Sequence, residues 1–320
     1  MKNSNMSYFL ANSRYRLRML IPRNLYAQVT YYMRKGKFLN LKNPKTFADK
    51  LWWMKYHYFN PLMTPCSDKW EVRKYVEKCG LKDILIDCYG HYDSVDAINL
   101  DDIPVEEFFL KVNNTSGGNL ICQKSTFDRE AIRPLFTSLL KDNFYWHGRE
   151  YNYKHIKPYI LAEKVLRPSD GSGLIDYKFF CFEGEPKLLF IDTEVCNEDG
   201  SHAEFSHWFN YDIDFNPLDV VINKKHEPTF EIKKPENYEK MVEYARVLSK
   251  PFPHCRIDFY NVDGKIYFGE ITFFHCAGYI VVEPREFDLK MASWFPMDTS
   301  YPKKYSKEDV EKVWASYEHN

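Results

Sequence analysis

Three stretches of this sequence set charged or flexible residues where an apolar pattern would otherwise continue. In the first, the apolar run Phe108–Leu110 ends at Lys111, and Asn113, Asn114, Thr115, Ser116, Gly117, Gly118 and Asn119 follow before a second strand pattern ending at Cys122. Glycine removes the Cβ that keeps main chain away from a phosphate, Asn and Ser tolerate left-handed turns, and lysine supplies a point charge. The same Ser-Gly-Gly-Asn run is also an ordinary hairpin turn. No Walker A or GxGxxG pattern occurs, so a phosphate cradle at a helix N-terminus is not expected.

The second stretch, Ile160 to Leu166, breaks its apolar run with Glu163 and Lys164. Such a break costs stability unless the charges reach water or a ligand. A strand edge there could offer backbone groups to an adenine while Glu163 accepts from its amino group, or the two residues could be an edge-strand charge pair.

The third stretch, Cys255 to Phe273, has the form of a hairpin turning at Asp263-Gly264, with Asp258 and Glu270 set into apolar strands. Register decides whether these carboxylates cooperate. A two-residue turn at Asp263-Gly264 puts them on opposite faces; a three-residue loop, Val262-Asp263-Gly264, puts Arg256, Asp258, Glu270 and Thr272 on one face. Only the second arrangement makes a metal site, because two facing carboxylates repel without a cation and hard oxygen donors suit Mg²⁺. His202 and His207 with Glu204 resemble a metal cluster only loosely, because the two histidines, five positions apart, do not share a helical face, and no Gly-x-Ser-x-Gly elbow occurs.

Caps and periodicity place the supporting elements. Thr46 with Asp49 opens a helix carrying Phe47, Leu51, Met54 and Tyr58; Ser67 and Asp68 open another that ends at Gly80; Ser125 to Asp128 precedes Ile132, Leu135, Phe136 and Leu139; and Glu236 to Lys250 precedes Pro251. Strands are expected at Ile84–Cys88, Glu107–Val112, Ile160–Leu166, Tyr177–Phe182, Lys187–Asp192, Arg256–Tyr260 and Ile266–Phe273. The later strands come as hairpins, which predicts α+β with antiparallel sheets.

The 320 residues carry 44 Lys plus Arg against 45 Asp plus Glu, a net charge of −1, so no nucleic-acid partner is implied. The eight cysteines form no CxxC pair, no apolar stretch is long enough to span a bilayer, and no secretory signal is evident, so a reducing cytoplasm is expected. Residues 1–48 hold ten basic residues and no acid before Asp49. This arm could lie on an anionic inner-membrane surface or bind a polyanionic glycan, or it could be a helix packed on the body with a basic face in water. The expected division is a basic arm over 1–45, a helical region over 46–106, a small lobe over 107–166, a large lobe over 167–300 and a C-terminal helix over 301–320.

The three stretches in this order resemble the ATP-grasp fold. The chain is similar to the teichuronopeptide-biosynthesis (TupA-type) ATP-grasp family through Asn43-Pro-Lys-Thr-Phe47, Asp68-Lys69 with Val72-Arg73, Gly148-Arg149-Glu150-Tyr151, Ile156-Lys157-Pro158, Asp176-Tyr-Lys178-Phe and Asn261-Val-Asp-Gly-Lys-Ile-Tyr-Phe-Gly-Glu270-Ile-Thr272. The resemblance implies two lobes clamping ATP. Lys111 would meet its phosphates under a turn formed by Asn113, Ser116, Gly117, Gly118 and Asn119. Glu163, Lys164 and Leu166 would meet adenine, with Asp176 or Lys178 near ribose or phosphate. Asp258 and Glu270 would hold Mg²⁺, with Thr272 a weak ligand where many members of the wider fold have Asn. Arg256, Lys111 and Lys178 would be catalytic, while Arg149, Tyr153, Lys154, Arg256 and His275 would bind substrate. The loop Phe274 to Gly278 lacks the more usual Pro-Gly.

The activity implied is ATP- and Mg²⁺-dependent carboxylate–amine ligation through an acyl phosphate in bacterial surface polysaccharide biosynthesis. It would join a uronic-acid-containing glycan or sugar nucleotide to a small amine or amino acid. Sugar or polyol phosphorylation on the same scaffold, or a capsule-pathway glycosyltransferase or glycan-binding module, are the alternatives.

Overall fold

The computed structural model describes residues 20–193, 199–200, 207–223, 232–297 and 304–318. The first nineteen residues of the basic arm, His202 and Glu204 lie outside the described residues.

Helix α1 (Arg23–Lys35) ends at Gly36, whose φ of 66° is the left-handed conformation a helix stop commonly uses. It buries Tyr26, Ala27 and Tyr31 against the body, while Leu25, Val29, Tyr32 and Met33 stay exposed. Helix α2 (Phe47–His57) starts at the expected capping box: Thr46 Oγ1 accepts from the Asp49 N–H and Asp49 Oδ2 accepts from the Thr46 N–H, both at 3.1 Å. The helix expected to open at Ser67 and Asp68 and to end at Gly80 is α4 (Val72–Lys78), and a further short helix, α3 (Met63–Ser67), precedes it. Asp68 between them accepts from the N–H groups of Trp70 and Glu71.

Strands β1 (Cys88–Tyr92), β2 (Glu107–Val112), β3 (Leu120–Gln123) and β4 (Ile160–Lys164) form an antiparallel sheet in the order β1-β4-β2-β3. The strand expected at Ile84–Cys88 is a 3₁₀ turn over Lys82–Ile84, with the strand following it. Helices α5 (Arg129–Lys141) and α6 (Tyr145–Gly148) precede β4, and Asp128 caps α5 through the N–H groups of Glu130 and Ala131. Alternation along β2 turns Phe108, Leu110 and Val112 into a core with Ile132 and Phe136 of α5. Lys111 therefore faces the other way, on the side of the sheet that also carries Glu163 of β4.

Next come β5 (Ile175–Phe182), β6 (Glu185–Thr193), β7 (His207–Asp212), β8 (Val221–Ile222), helix α7 (Tyr238–Ser249), β9 (His254–Val262), β10 (Lys265–Thr272) and β11 (Val282–Glu283). Five of these strands form an antiparallel sheet ordered β10-β9-β5-β6-β7, and β8 pairs with β11. Helix α7 buries Met241, Ala245 and Leu248 under this sheet, among the largest hydrophobic cluster of the described residues. Helices α8 (Arg285–Ser293) and α9 (Lys307–Glu318) complete an α+β architecture. No described helix is long and apolar enough to cross a membrane, and every described cysteine is free.

The β9–β10 hairpin corrects the register expectation. Asp263 and Gly264 both have positive φ, 52° and 76°, which makes the two-residue primed turn, and Val262↔Lys265 through Phe259↔Phe268 pair accordingly. Gly269 then leaves the ladder as a bulge, so Asp258 pairs with Glu270 and Arg256 with Thr272. One extra residue in β10 thus returns both carboxylates to a single face. A Cβ on Gly269 would stand 3.0 Å from the backbone oxygen of Asp258, tighter than ordinary contact. Gly269→Ala is expected to cost about 1–3 kcal/mol of stability in urea unfolding. A wild-type value would show that the bulge accommodates a side chain.

Candidate active site

One cluster of acidic and basic side chains lies on each sheet. On the small sheet, Lys111 Nζ lies 2.5 Å from Glu163 Oε2, with side chains only 13% and 6% exposed. On the large sheet, Lys178 bridges Asp176 and Asp258. Arg256 donates from Nε to Asp258 Oδ1 at 2.6 Å and from Nη2 to Glu270 Oε1 and Thr272 Oγ1, each at 3.2 Å. Thr272 in turn donates to Glu270 Oε1 at 2.9 Å.

Lys69 joins the two groups. It leaves the Asp68 turn so that its Nζ donates to Thr115 O at 2.6 Å, and it feels Glu270 on one side and Lys111 and Glu163 on the other. Lys69, Arg73, Lys111, Glu163, Phe268 and Gly269 line a crevice whose free volume is only ≈10 Å³. Burial lowers the Lys69 pKa, with Glu270 opposing. At Glu270 burial works against ionisation, but Lys69, Arg256 and Lys178 outweigh it and hold the carboxyl at about 2. Burial raises Asp176 to about 7 against the pull of Lys178, and its Oδ1 has no hydrogen-bond partner.

Not every expected residue joins this crevice. Asn113 is fully buried: its Nδ2 donates to Asp68 Oδ1 and Lys157 O, and its Oδ1 accepts from the Tyr159 N–H. It is therefore an anchor of the turn, and the part open to an anion narrows to Ser116, Gly117, Gly118 and Asn119, with Ser116 exposed. Lys164 is exposed on β4 and Leu166 half-buried beyond it. Tyr153 feels both Glu270 and Arg256, whereas Lys154 lies outside in solvent over the Tyr151 ring. Arg149 is buried in a separate cavity beside Tyr26.

His275 turns into the core, because the positive φ of Cys276 and Ala277 folds the loop inward. Its Nε2 is 2.7 Å from His254 Nε2, and His254 Nδ1 is 2.8 Å from Cys181 O. The carbonyl can only accept, so His254 is protonated at Nδ1, and His275 Nε2–H donates to His254 Nε2. This geometry directs His275 away from any ligand in the crevice.

Burial lowers the His254 pKa to about 3, while unfolded histidine titrates near 6.5. The folded form then gains no proton as pH falls from 6.5 toward 3 but the unfolded chain does, so this contribution is intact above pH 6.5 and is lost through that window. The slope is about 1.4 kcal/mol per pH unit. Asp176 and Asp68, raised by burial to about 7 and about 6, act in the opposite sense. The check is therefore a difference: urea unfolding of His254→Phe should fall less than wild type between pH 7 and 5, and parallel losses would contradict the assignment.

Lys69 and Arg73 are the crevice residues to which residue-level reading gave no role. The Asp68-Lys69 … Val72-Arg73 pattern carried the signal, but their place beside Lys111 depends on contacts across the fold.

Residues 49–295 match the family profile described as TupA-like ATPgrasp. No curated protein matches. Among solved structures, the L-amino acid ligase from Bacillus licheniformis is 14% identical with a TM-score of 0.42, over 65% of this chain and 44% of that one, so the chain spans less than half its length. The D-alanine–D-alanine ligase from Bacillus anthracis complexed with ATP is 16% identical with a TM-score of 0.41, over 82% and 72%. D-cycloserine synthetase DcsG is 14% identical with a TM-score of 0.41, over 80% and 72%. With its profile match running from α2 to beyond α8 and enclosing both halves of the crevice, the chain belongs to the TupA-like ATP-grasp family.

Proposed function

We propose that this ATP-grasp enzyme binds Mg-ATP in the crevice and joins a carboxylate to an amine. The observation that carries the reading is Lys69, which lines the crevice with Lys111 and Glu163 of the small sheet and stands within electrostatic reach of Glu270, the ladder partner of Asp258 on the large one. The ions now pair with one another in a space too small for a nucleotide, so the lobes must part and exchange these pairs for phosphate contacts. Among the described residues no three acidic, Cys or His side chains already stand together as a metal cluster; Asp258 and Glu270, with Thr272 hydrogen-bonded to Glu270, would supply the hard oxygen donors that suit Mg²⁺. Bound there, Mg²⁺ would neutralise charge on the transferring phosphoryl group.

In this reading Lys69 and Lys111 hold the phosphates under the turn from Ser116 to Asn119, and main chain around Lys164 and Leu166 meets the adenine. The acceptor carboxylate attacks the γ-phosphorus, releasing ADP and forming an acyl phosphate; the amine then attacks the acyl carbon and expels phosphate. Arg256, fixed on the face of Asp258 and Glu270, offers a planar fork to the carboxylate or its developing oxyanion. Lys178 stays protonated, since Asp176 and Asp258 outweigh the burial that opposes its charge, and it holds Asp258 in place. Catalysis on this plan is positioning and electrostatics.

The acceptor is proposed to be a uronic-acid-containing glycan or sugar nucleotide of surface polysaccharide synthesis, and the donor a small amine or amino acid. An ADP-release screen with Mg-ATP, uronate oligosaccharides and an amine panel, followed by mass spectrometry, tests this. A product heavier by the amine less water, with one phosphate released per ADP, supports ligation. A phosphorylated product with no free phosphate would establish kinase chemistry in its place.

A further inference from the structure

A cavity of ≈250 Å³ lies apart from the crevice, between the chain entering α1, the end of α2 and the segment around α6. Four cations line it, Arg23, Lys55, Arg149 and Lys304, together with the rings of Tyr56 and Tyr151 and further apolar groups, and no carboxylate is among its lining residues. Two of these cations are deeply buried, Lys55 at 2% and Arg149 at 6% exposure. Burying such charge is costly without a counter-ion. Glu150, next in sequence to Arg149, feels Lys55, yet burial still brings the ammonium down to about 8.

The cations are held in place rather than waving in solvent. Lys55 Nζ donates to Ala277 O at 2.6 Å, which leaves two of its N–H groups for another acceptor. Arg149 donates to Ile21 O at 3.1 Å and lies over the Tyr26 ring, and Arg23 lies 5.8 Å from the centre of the Tyr56 ring. The carbonyl that fixes Lys55 belongs to the loop leaving β10 just after Glu270 and Thr272. Tyr153 stands between the two sites, within electrostatic reach of Glu150 on one side and of Glu270 and Arg256 on the other. The volume lies below the roughly 300–1,000 Å³ of pockets for drug-sized ligands and suits one ring.

We propose that this cavity binds an anionic ring unit of the acceptor, a carboxylated or phosphorylated sugar, with its negative group among Arg23, Lys55, Arg149 and Lys304 and its ring against Tyr56 and Tyr151. The inference rests on the ligase reading for the fate of the ligand, and it extends the acceptor from a reacting carboxylate to a recognised neighbouring unit.

Calorimetric titration of the full chain with D-glucuronate, glucose 1-phosphate and glucose tests it, alongside Arg23→Gln and Lys304→Gln. Both line the cavity and neither lines the crevice. Binding of either anionic sugar without binding of glucose is expected, and the one that binds identifies carboxylate or phosphate as the anion. Each variant should weaken it by about tenfold. Mg-AMP-PNP binding measured on the same samples should be unchanged in both variants, which verifies the fold and tests the nucleotide site separately. Failure of both anionic sugars to bind, equal binding of glucose, or wild-type affinity in both variants would overturn the assignment, whatever the nucleotide result.

Discussion

Glu270→Gln reduces Mg-ATP turnover by about 10²-fold or more and leaves the fold intact. Its side chain keeps 41% exposure at the crevice, so an isosteric amide costs little packing. What is lost is charge: Lys69, Arg256 and Lys178 together hold Glu270 ionised, and the neutral amide removes both their counter-charge and the carboxylate proposed to hold Mg²⁺. ADP release measured beside a thermal melt checks this. Unchanged turnover in a folded variant would end the metal assignment.

Lys111→Met has two separable effects. It strands Glu163, a carboxylate with 6% side-chain exposure, and removing one partner of a buried pair costs about 3–5 kcal/mol. It also removes the phosphate contact proposed for Lys111, and is expected to weaken Mg-AMP-PNP by more than about tenfold. Adding Glu163→Gln to it removes the stranded charge and should restore much of the stability without restoring the nucleotide. Urea unfolding and calorimetry on the single and double variants read the two effects apart. Wild-type nucleotide affinity in the double variant would make Lys111 a structural ion-pair partner alone.

Local chemistry made much of the frame legible before any coordinates. The capping box of Thr46 and Asp49, the Asp128 cap, the Glu107–Val112 strand and the Asp263-Gly264 turn each depend on neighbours in sequence, and each forms as its residues predict. The Gly269 bulge was not legible, because Phe268-Gly269-Glu270-Ile271 has the same residue types whether or not one position leaves the ladder. Only Asp258 O pressing on Gly269 from the partner strand settles it. The run Ile84-Leu85-Ile86 has strand composition, yet it forms a turn and then lines the crevice through Leu85 and Ile86. Lys69, Lys55 and the inward His275 owe their positions to Thr115 and to the 276–277 loop, contacts that no local pattern encodes. Short-range rules gave the elements, while the identity of the groups facing each other came from the packing of two sheets.

The most direct measurement is the anomalous difference density of a crystal grown with Mn²⁺ and AMP-PNP, Mn²⁺ standing in for Mg²⁺. A manganese peak between Asp258 and Glu270, with the triphosphate reaching Lys111 and Lys69, is the predicted result. Nucleotide bound elsewhere, or manganese away from both carboxylates, would contradict it.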